Sequence, residues 1–335
     1  MRKVAQLPEQ DRRDLFMATA ETMLVHPAIV EKDFWVCWVL DYLFQDSEWK
    51  NDLVFKGGTS LSKAFGAIER FSEDIDLIMD WKRLGYTDDE QWSDRSATQQ
   101  NLFGEEANRR TVEYLKKHIA PVLSHDLETR AGTHVGVDTE GQDVLVTYPR
   151  AFSLEAIQPQ VRLEIGPLAE SDPNELRDIL PFAAEKFASV FIRPTTQITT
   201  LSAERTFWEK ITILHQEAHR GTEKSLPQHY SRHYYDLYRL SCLPIRKSAL
   251  EDITLLERVV RHKMKFYRCP WARYEEAKPG TLKLLPPKHH TDDLRKDYRS
   301  MQAMLFGDIP DFEDILKGLT LLEKEINRSH DVGPL

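Results

Sequence analysis

The spacing of apolar positions changes several times along the chain, and each change predicts a different element. From residue 8 to about 45 they recur at helical intervals, as two helices with Pro27 at the start of the second. Ile29, Val36, Val39, Leu40 and Leu43 supply the apolar stripe of that second helix, and Glu31-Lys32-Asp33 interrupt its start with charge. Leu53-Val54-Phe55 then reads as a short strand, Gly57-Gly58 as a break, residues 60–70 as a helix and residues 75–79 as a second strand. Residues 81 to about 105 are polar and irregular, and a helix is expected from about 106 to 118, ahead of Pro121. Further strands are predicted at 144–148, 160–165 and 190–193. Beyond Leu201 the pattern is helical to the end, with breaks near Gly221, Pro227, Pro244 and Pro270 and a longer one over 279–287. The sum is an α+β fold: a helical start, a mixed sheet of about five strands flanked by helices, and a helical C-terminal half. The expected division is residues 1–200 and 201–335.

Composition narrows the class. Over 335 residues, 41% hydrophobic and 30% charged residues can build a core, so disorder is not expected. No apolar run is long enough to cross a bilayer, and Met1-Arg2-Lys3 runs straight into polar residues, unlike a signal peptide. Cys37, Cys242 and Cys269 are odd in number and far apart, which argues against a disulfide framework or a cysteine zinc site. A cytoplasmic protein without a membrane partner is expected. The net charge of −9 disfavours a broad nucleic-acid-coating surface. Lys247, Arg258, Arg261, Lys263, Lys265 and Arg268 could still form a local basic surface, although a solvated helix face is the simpler reading.

The chemistry concentrates in residues 54–79, VFKGGTSLSKAFGAIERFSEDIDLIM. A double glycine after a strand lets backbone approach a ligand, and amides at a following helix start suit a phosphate, with Thr59 and Ser60 adding hydroxyls. Asp74 and Asp76, two apart on a strand, project to one side while Ile75 and Leu77 face the core. Adjacent carboxylates raise each other's pKa unless a cation lies between them, and oxygen ligands suit Mg²⁺. Glu164, opposite the apolar face of Val161, Leu163 and Ile165, is the candidate third carboxylate. Lys210, within the helical LSAERTFWEKITILHQEAH, could reach a triphosphate. Asp236, among Tyr234, Tyr235 and Tyr238, needs a partner, either Arg232 or a catalytic group.

Taken together, VEKDFW (30–35), FKGGTSLSKAF, RFSEDIDL, QVRLEIG, ERTFWEKI and RHYYDLYRL resemble the AbiEii/AbiGii-type nucleotidyltransferase toxins, which include the MenT toxins. The resemblance spans roughly residues 28–240. It implies a polymerase-β-like core with a helical C-terminal lobe, acting as the toxin of a toxin–antitoxin or phage-defence pair with a cognate antitoxin. It further implies that Gly57, Gly58 and Thr59 hold the triphosphate of an NTP and that Asp74 and Asp76 bind Mg²⁺ or Mn²⁺. Lys56, Ser60 and Ser72 join the candidate nucleotide-binding residues, and Glu164 the candidate metal ligands. Lys210 would contact the nucleotide phosphates, and Asp236 would match the family's last acidic position. Ser72 matches a serine that is phosphorylated in some relatives, and the acceptor implied is RNA, most simply the tRNA 3′ end.

Rival readings differ in class. NMP transfer to a protein, a nucleotide-binding regulatory module and a metal-dependent nuclease each accommodate part of the pattern. His215 and His219 are spaced i,i+4, but the intervening acid, Glu217, is not where a zinc-protease helix requires it. These two, with His229 and His233, are expected to pack or to face solvent. GGTSLSK lacks the spacing of a Walker loop.

Overall fold

A computed structural model describes residues 1–87, 89–155 and 157–328. It divides into two compact units, one comprising Met1–Phe65 and Phe71–Leu201, the other Gly66–Arg70 and Ser202–Leu335. The short insertion of Gly66–Arg70 into the second unit has no counterpart in the expected division.

The first unit is built on a seven-stranded mixed sheet: β1 (Leu53–Lys56), β2 (Asp74–Met79), β3 (Gly136–Glu140), β4 (Asp143–Thr147), β5 (Gln160–Gly166), β6 (Asn174–Ile179) and β7 (Thr196–Leu201). Their spatial order is β3-β4-β5-β2-β1-β7-β6. The pairs β2–β5 and β1–β7 are parallel and the rest antiparallel. Leu53, Phe55, Ile75, Leu77, Val144, Val146, Val161, Leu163 and Ile165 are buried, giving the central strands one continuous apolar face. The helix Pro27–Asp41 packs on β5 and β7 and brings Phe34, Trp35 and Trp38 into the same core.

The sheet is therefore two strands larger than expected, and one predicted strand is absent. Residues 188–190 form a 3₁₀ turn, and the strand lies further on, at Thr196–Leu201. The helix expected over 60–70 is confined to Gly57–Lys63. The helix expected from about 106 begins at Ala97, where Ser96 and Gln99 form a reciprocal cap. It does not stop ahead of Pro121: a π turn at Leu115–Ile119 leads into the helix Ala120–Ala131. Such a widened turn accommodates the missing N–H and bulky ring of proline.

The second unit is helical, with Ala203–Ala218, Arg232–Ser241, Ile245–Glu251, Ile253–Phe266, Lys288–Met301 and Phe312–Arg328 as its principal elements. Phe207, Trp208, Ile211, Tyr234, Leu237, Leu256, Ile315 and Leu319 are buried in its core. Ser202 caps the first of these helices by accepting from the Arg205 N–H at 3.2 Å. His215 is buried, its imidazole bonding the Arg273 carbonyl and the Lys283 N–H, so its role is packing.

Candidate active site

The alternation in β2 that buries Ile75 and Leu77 leaves Asp74 and Asp76 half-buried on the opposite face. Strand register sets their neighbours: Asp76 lies between Lys56 of β1 and Glu164 of β5, and Asp74 lies beside Arg162. Lys56, Asp74, Asp76, Arg162 and Glu164 thus share the polar face of the sheet. The guanidinium of Arg162 is engaged by Asp143 and, at 3.4 Å, by Glu140. Among the described residues no hydrogen bond or ion pair reaches the carboxylates of Asp74, Asp76 or Glu164.

The electrostatics follow from this crowding. Burial pushes the Asp74 carboxyl above its ordinary range, and the charges of Glu73 and Asp76 push the same way. Glu164, open to solvent on one side, is pushed up to about 7, first by partial desolvation and then by Asp76 and Asp74. Each group would be relieved by a cation. Mg²⁺ is commonly held by one or two carboxylates, with phosphate oxygens and water completing the shell, and Asp74 and Asp76 fit that donor set. Among the described residues no three His, Cys, Asp or Glu side chains are placed to enclose a metal, so Asp74, Asp76 and Glu164 do not form a closed cage.

The glycine turn meets the acidic pair directly. Gly57 has φ +81°, and a Cβ there would lie 2.6 Å from Asp76 Cγ, overlapping the carboxylate. Only glycine both adopts that backbone and lets the turn run against Asp76. Gly58 follows in the first turn of Gly57–Lys63, whose N-cap position, Lys56, provides no side-chain cap. The hydroxyls expected to face a phosphate are engaged internally. Thr59 donates to the Asp74 carbonyl and Ser60 to the Gly57 carbonyl at 2.9 Å, and both residues are buried. They brace the turn against β2. Ser72 is half-buried in the segment entering β2.

Lys210 and Asp236 lie in the second unit and bind each other. Lys210 Nζ is 2.7 Å from Asp236 Oδ2 and 3.1 Å from His233 Nδ1. Asp236 also accepts from Arg70 Nε at 2.6 Å and Nη2 at 2.9 Å. Burial alone would raise the Asp236 carboxyl, but the charges of Arg70 and Lys210 outweigh it and hold the group well below its usual range. Of the two partners expected for Asp236, Arg232 or a catalytic group, Arg232 is exposed, and the carboxylate pairs with Lys210, a candidate catalytic residue, and with Arg70.

Several contributors were missed by sequence reasoning. Arg70 stands at the head of RFSEDIDL, where its charge next to the acidic pair was the available signal. Glu31, Lys32 and Asp33 do not interrupt their helix; it runs through them, and all three are buried. Glu31 accepts the N–H groups of Ala151 and Phe152, Lys32 binds Glu73 at 3.1 Å, and Asp33 binds Lys63 at 2.7 Å.

Residues 38–318 match the family described as nucleotidyl transferase AbiEii toxin, type IV toxin–antitoxin system. The chain belongs to the AbiEii family. The family is one of nucleotidyltransferase toxins of toxin–antitoxin systems, and that description applies to this chain. No curated protein matches it. Among solved structures it is similar to MenT4, nucleotidyltransferase toxin Rv2826c from Mycobacterium tuberculosis H37Rv, at 17% identity and a TM-score of 0.45, covering 92% of this chain and 98% of that one. It is also similar to a candidate nucleotidyltransferase from H. pylori, at 14% identity and a TM-score of 0.40, covering 93% and 97%. No helix among the described residues is long and apolar enough to cross a membrane.

Proposed function

We propose that this AbiEii protein transfers a nucleoside monophosphate from an NTP to an RNA end, most simply the 3′ end of a tRNA, in the cytoplasm. The observation that carries the reading is the Asp74–Asp76 pair, two half-buried carboxylates that no ion pair reaches among the described residues, set against a glycine that admits backbone to their edge. Asp74 and Asp76 would hold Mg²⁺ or Mn²⁺, with Glu164 beside them supporting the charge of the site. When bound, the metal supplies neutralisation of the phosphates and lowers the cost of deprotonating the attacking hydroxyl.

The chain's own residues do the positioning. The turn at Gly57-Gly58 would offer its backbone to the triphosphate beside Asp76, and Thr59 and Ser60 hold that turn through their hydroxyls. Lys56, in register with Asp76, offers positive charge on the same face. Within the second unit, Asp236 orients the Lys210 ammonium, and Arg70 fixes Asp236 in turn. A regulatory module that only bound nucleotide would have no need of paired carboxylates, which is why transfer is preferred. An antitoxin would restrain the activity, and phosphorylation of Ser72, one residue from Glu73 and two from Asp74, would add negative charge where carboxylates already crowd.

The test is incubation of purified protein with total tRNA, Mg²⁺ and each labelled NTP in turn. Wild type should label RNA and Asp74→Ala should not. Label on protein instead would replace the acceptor class. Absence of any metal-dependent NTP consumption would replace the enzyme with a binding module.

A further inference from the structure

The first unit contains a buried charged triplet on one turn of the helix Pro27–Asp41 that the proposed chemistry does not use. Glu31, Lys32 and Asp33 are 1%, 1% and 4% exposed. Burying three ionic side chains is costly unless each finds a partner, so the placement of those partners is informative.

Each side chain reaches a different segment. Lys32 Nζ binds Glu73 Oε2 at 3.1 Å, the residue preceding Asp74, and also donates to the carbonyls of Gln158, at 3.0 Å, and Gln160. It therefore ties the start of β2 to the start of β5, the two strands whose register sets Asp76 beside Glu164. Asp33 binds Lys63 Nζ at 2.7 Å and accepts from the Phe182 N–H at 2.7 Å. Lys63 is the last residue of the short helix that begins at Gly57, so this pair holds the far end of the glycine turn. Glu31 accepts from the N–H groups of Ala151 and Phe152, a segment with none of the candidate site residues.

We infer that Lys32 and Asp33 are positioning residues for the metal and phosphate site: they set the spacing between the acidic pair, Glu164 and the glycine turn without touching substrate. The inference rests on the metal role of Asp74 and Asp76 proposed above. Glu31, in the same helical turn, is equally buried and equally partnered, yet it leads elsewhere and serves as an internal control. A role confined to stability would make the three residues equivalent. A positioning role separates Lys32 and Asp33 from Glu31.

The experiment is equilibrium binding of Mn²⁺ alone to full-length protein, with thermal unfolding measured on the same samples. The variants are Lys32→Met, Asp33→Asn and Glu31→Gln, with Glu73→Gln as a milder version of the Lys32 change that keeps a hydrogen-bonding side chain. Loss of an outer partner of a metal ligand typically costs about 10-fold to 100-fold in metal affinity. Lys32→Met is expected to weaken Mn²⁺ binding about 10-fold and Glu73→Gln less. Asp33→Asn should leave Mn²⁺ binding closer to wild type but weaken binding of MgATP or another Mg·NTP. Glu31→Gln should lower the unfolding temperature without changing either affinity. Equal Mn²⁺ affinity in wild type, Lys32→Met and Glu73→Gln would overturn the inference while leaving the metal assignment standing. Should Lys32→Met fail to fold, Glu73→Gln decides. Wild type that binds no Mn²⁺ would overturn the metal assignment itself and this inference with it.

Discussion

Two groups of carboxylates in this molecule meet opposite surroundings. On the polar face of the sheet, Asp74, Asp76 and Glu164 stand side by side, without ion-pair partners among the described residues, and Asp74 and Glu164 are pushed upward in pKa. In the helical unit, Asp236 is fully buried yet held by Arg70 and Lys210 and pushed downward. The lesson is that burial alone does not mark a carboxylate as functional. Asp236 has its charge answered by direct ion pairs, whereas no ion pair among the described residues reaches the acidic face, and that difference is the ground for proposing the latter as the cation-binding centre.

The comparison can be broken most forcefully at Asp236. Asp236→Ala leaves two cations facing an emptied buried position, and breaking a buried pair in this way costs about 3–5 kcal/mol. Urea unfolding should show that loss, and a variant as stable as wild type would remove the contrast. Next in size is Asp76→Ala, which should lower nucleotidyl transfer about 10²–10³-fold, while its unfolding midpoint stays close to that of wild type. A fall in stability comparable to that of Asp236→Ala would mean that Asp76 is structural after all.

Gly57→Ala sharpens the geometry. The added methyl would overlap the Asp76 carboxylate and the backbone is left-handed there, so destabilisation of about 1–3 kcal/mol is expected from urea titration. Activity should fall with it.

The smallest effects are in pH dependence, and they carry opposite signs. Glu164 has a folded pKa raised to about 7, so its contribution favours the fold at low pH and is lost as pH rises through about 7. Glu164→Gln should therefore raise the thermal midpoint at pH 8 and leave it nearly unchanged near pH 4. Asp236 has a lowered folded pKa, so its contribution is present above the ordinary aspartate value of about 4 and lost as pH falls below it. Asp236→Asn should flatten acid unfolding. The same slope in both variants would contradict the two environments.

How much of this was legible in sequence depends on whether the decisive partner is near in the chain. β2 was legible because Ile75 and Leu77 alternate with Asp74 and Asp76, and both the turn at Gly57-Gly58 and the apolar face of β5 were visible in the same way. β6 was not, since NELRDI is mostly exposed at a sheet edge and carries no apolar alternation. β7 was misplaced because its sequence, TQITTL, is rich in threonine; Thr196 is buried with its hydroxyl on Asp41, a partner far away in sequence. The β-branched and aromatic run at 190–193 drew the strand there instead. Glu31-Lys32-Asp33 looked like surface charge for the same reason, as the partners at Ala151, Glu73 and Phe182 lie 41 to 149 residues away. Local patterning therefore revealed the candidate acidic site, while its long-range supports became visible only in the fold.

The most direct measurement of the central claim compares two labels on one donor. An NTP carrying label on its α-phosphate, and the same NTP labelled on its γ-phosphate, are incubated with wild type or Asp74→Ala protein, Mg²⁺ and tRNA. Nucleotidyl transfer at Asp74 and Asp76 predicts α-label retained in the RNA, γ-label released as pyrophosphate, and neither with Asp74→Ala. Transfer of the γ-label to the acceptor, or incorporation of α-label undiminished in Asp74→Ala, would contradict the account.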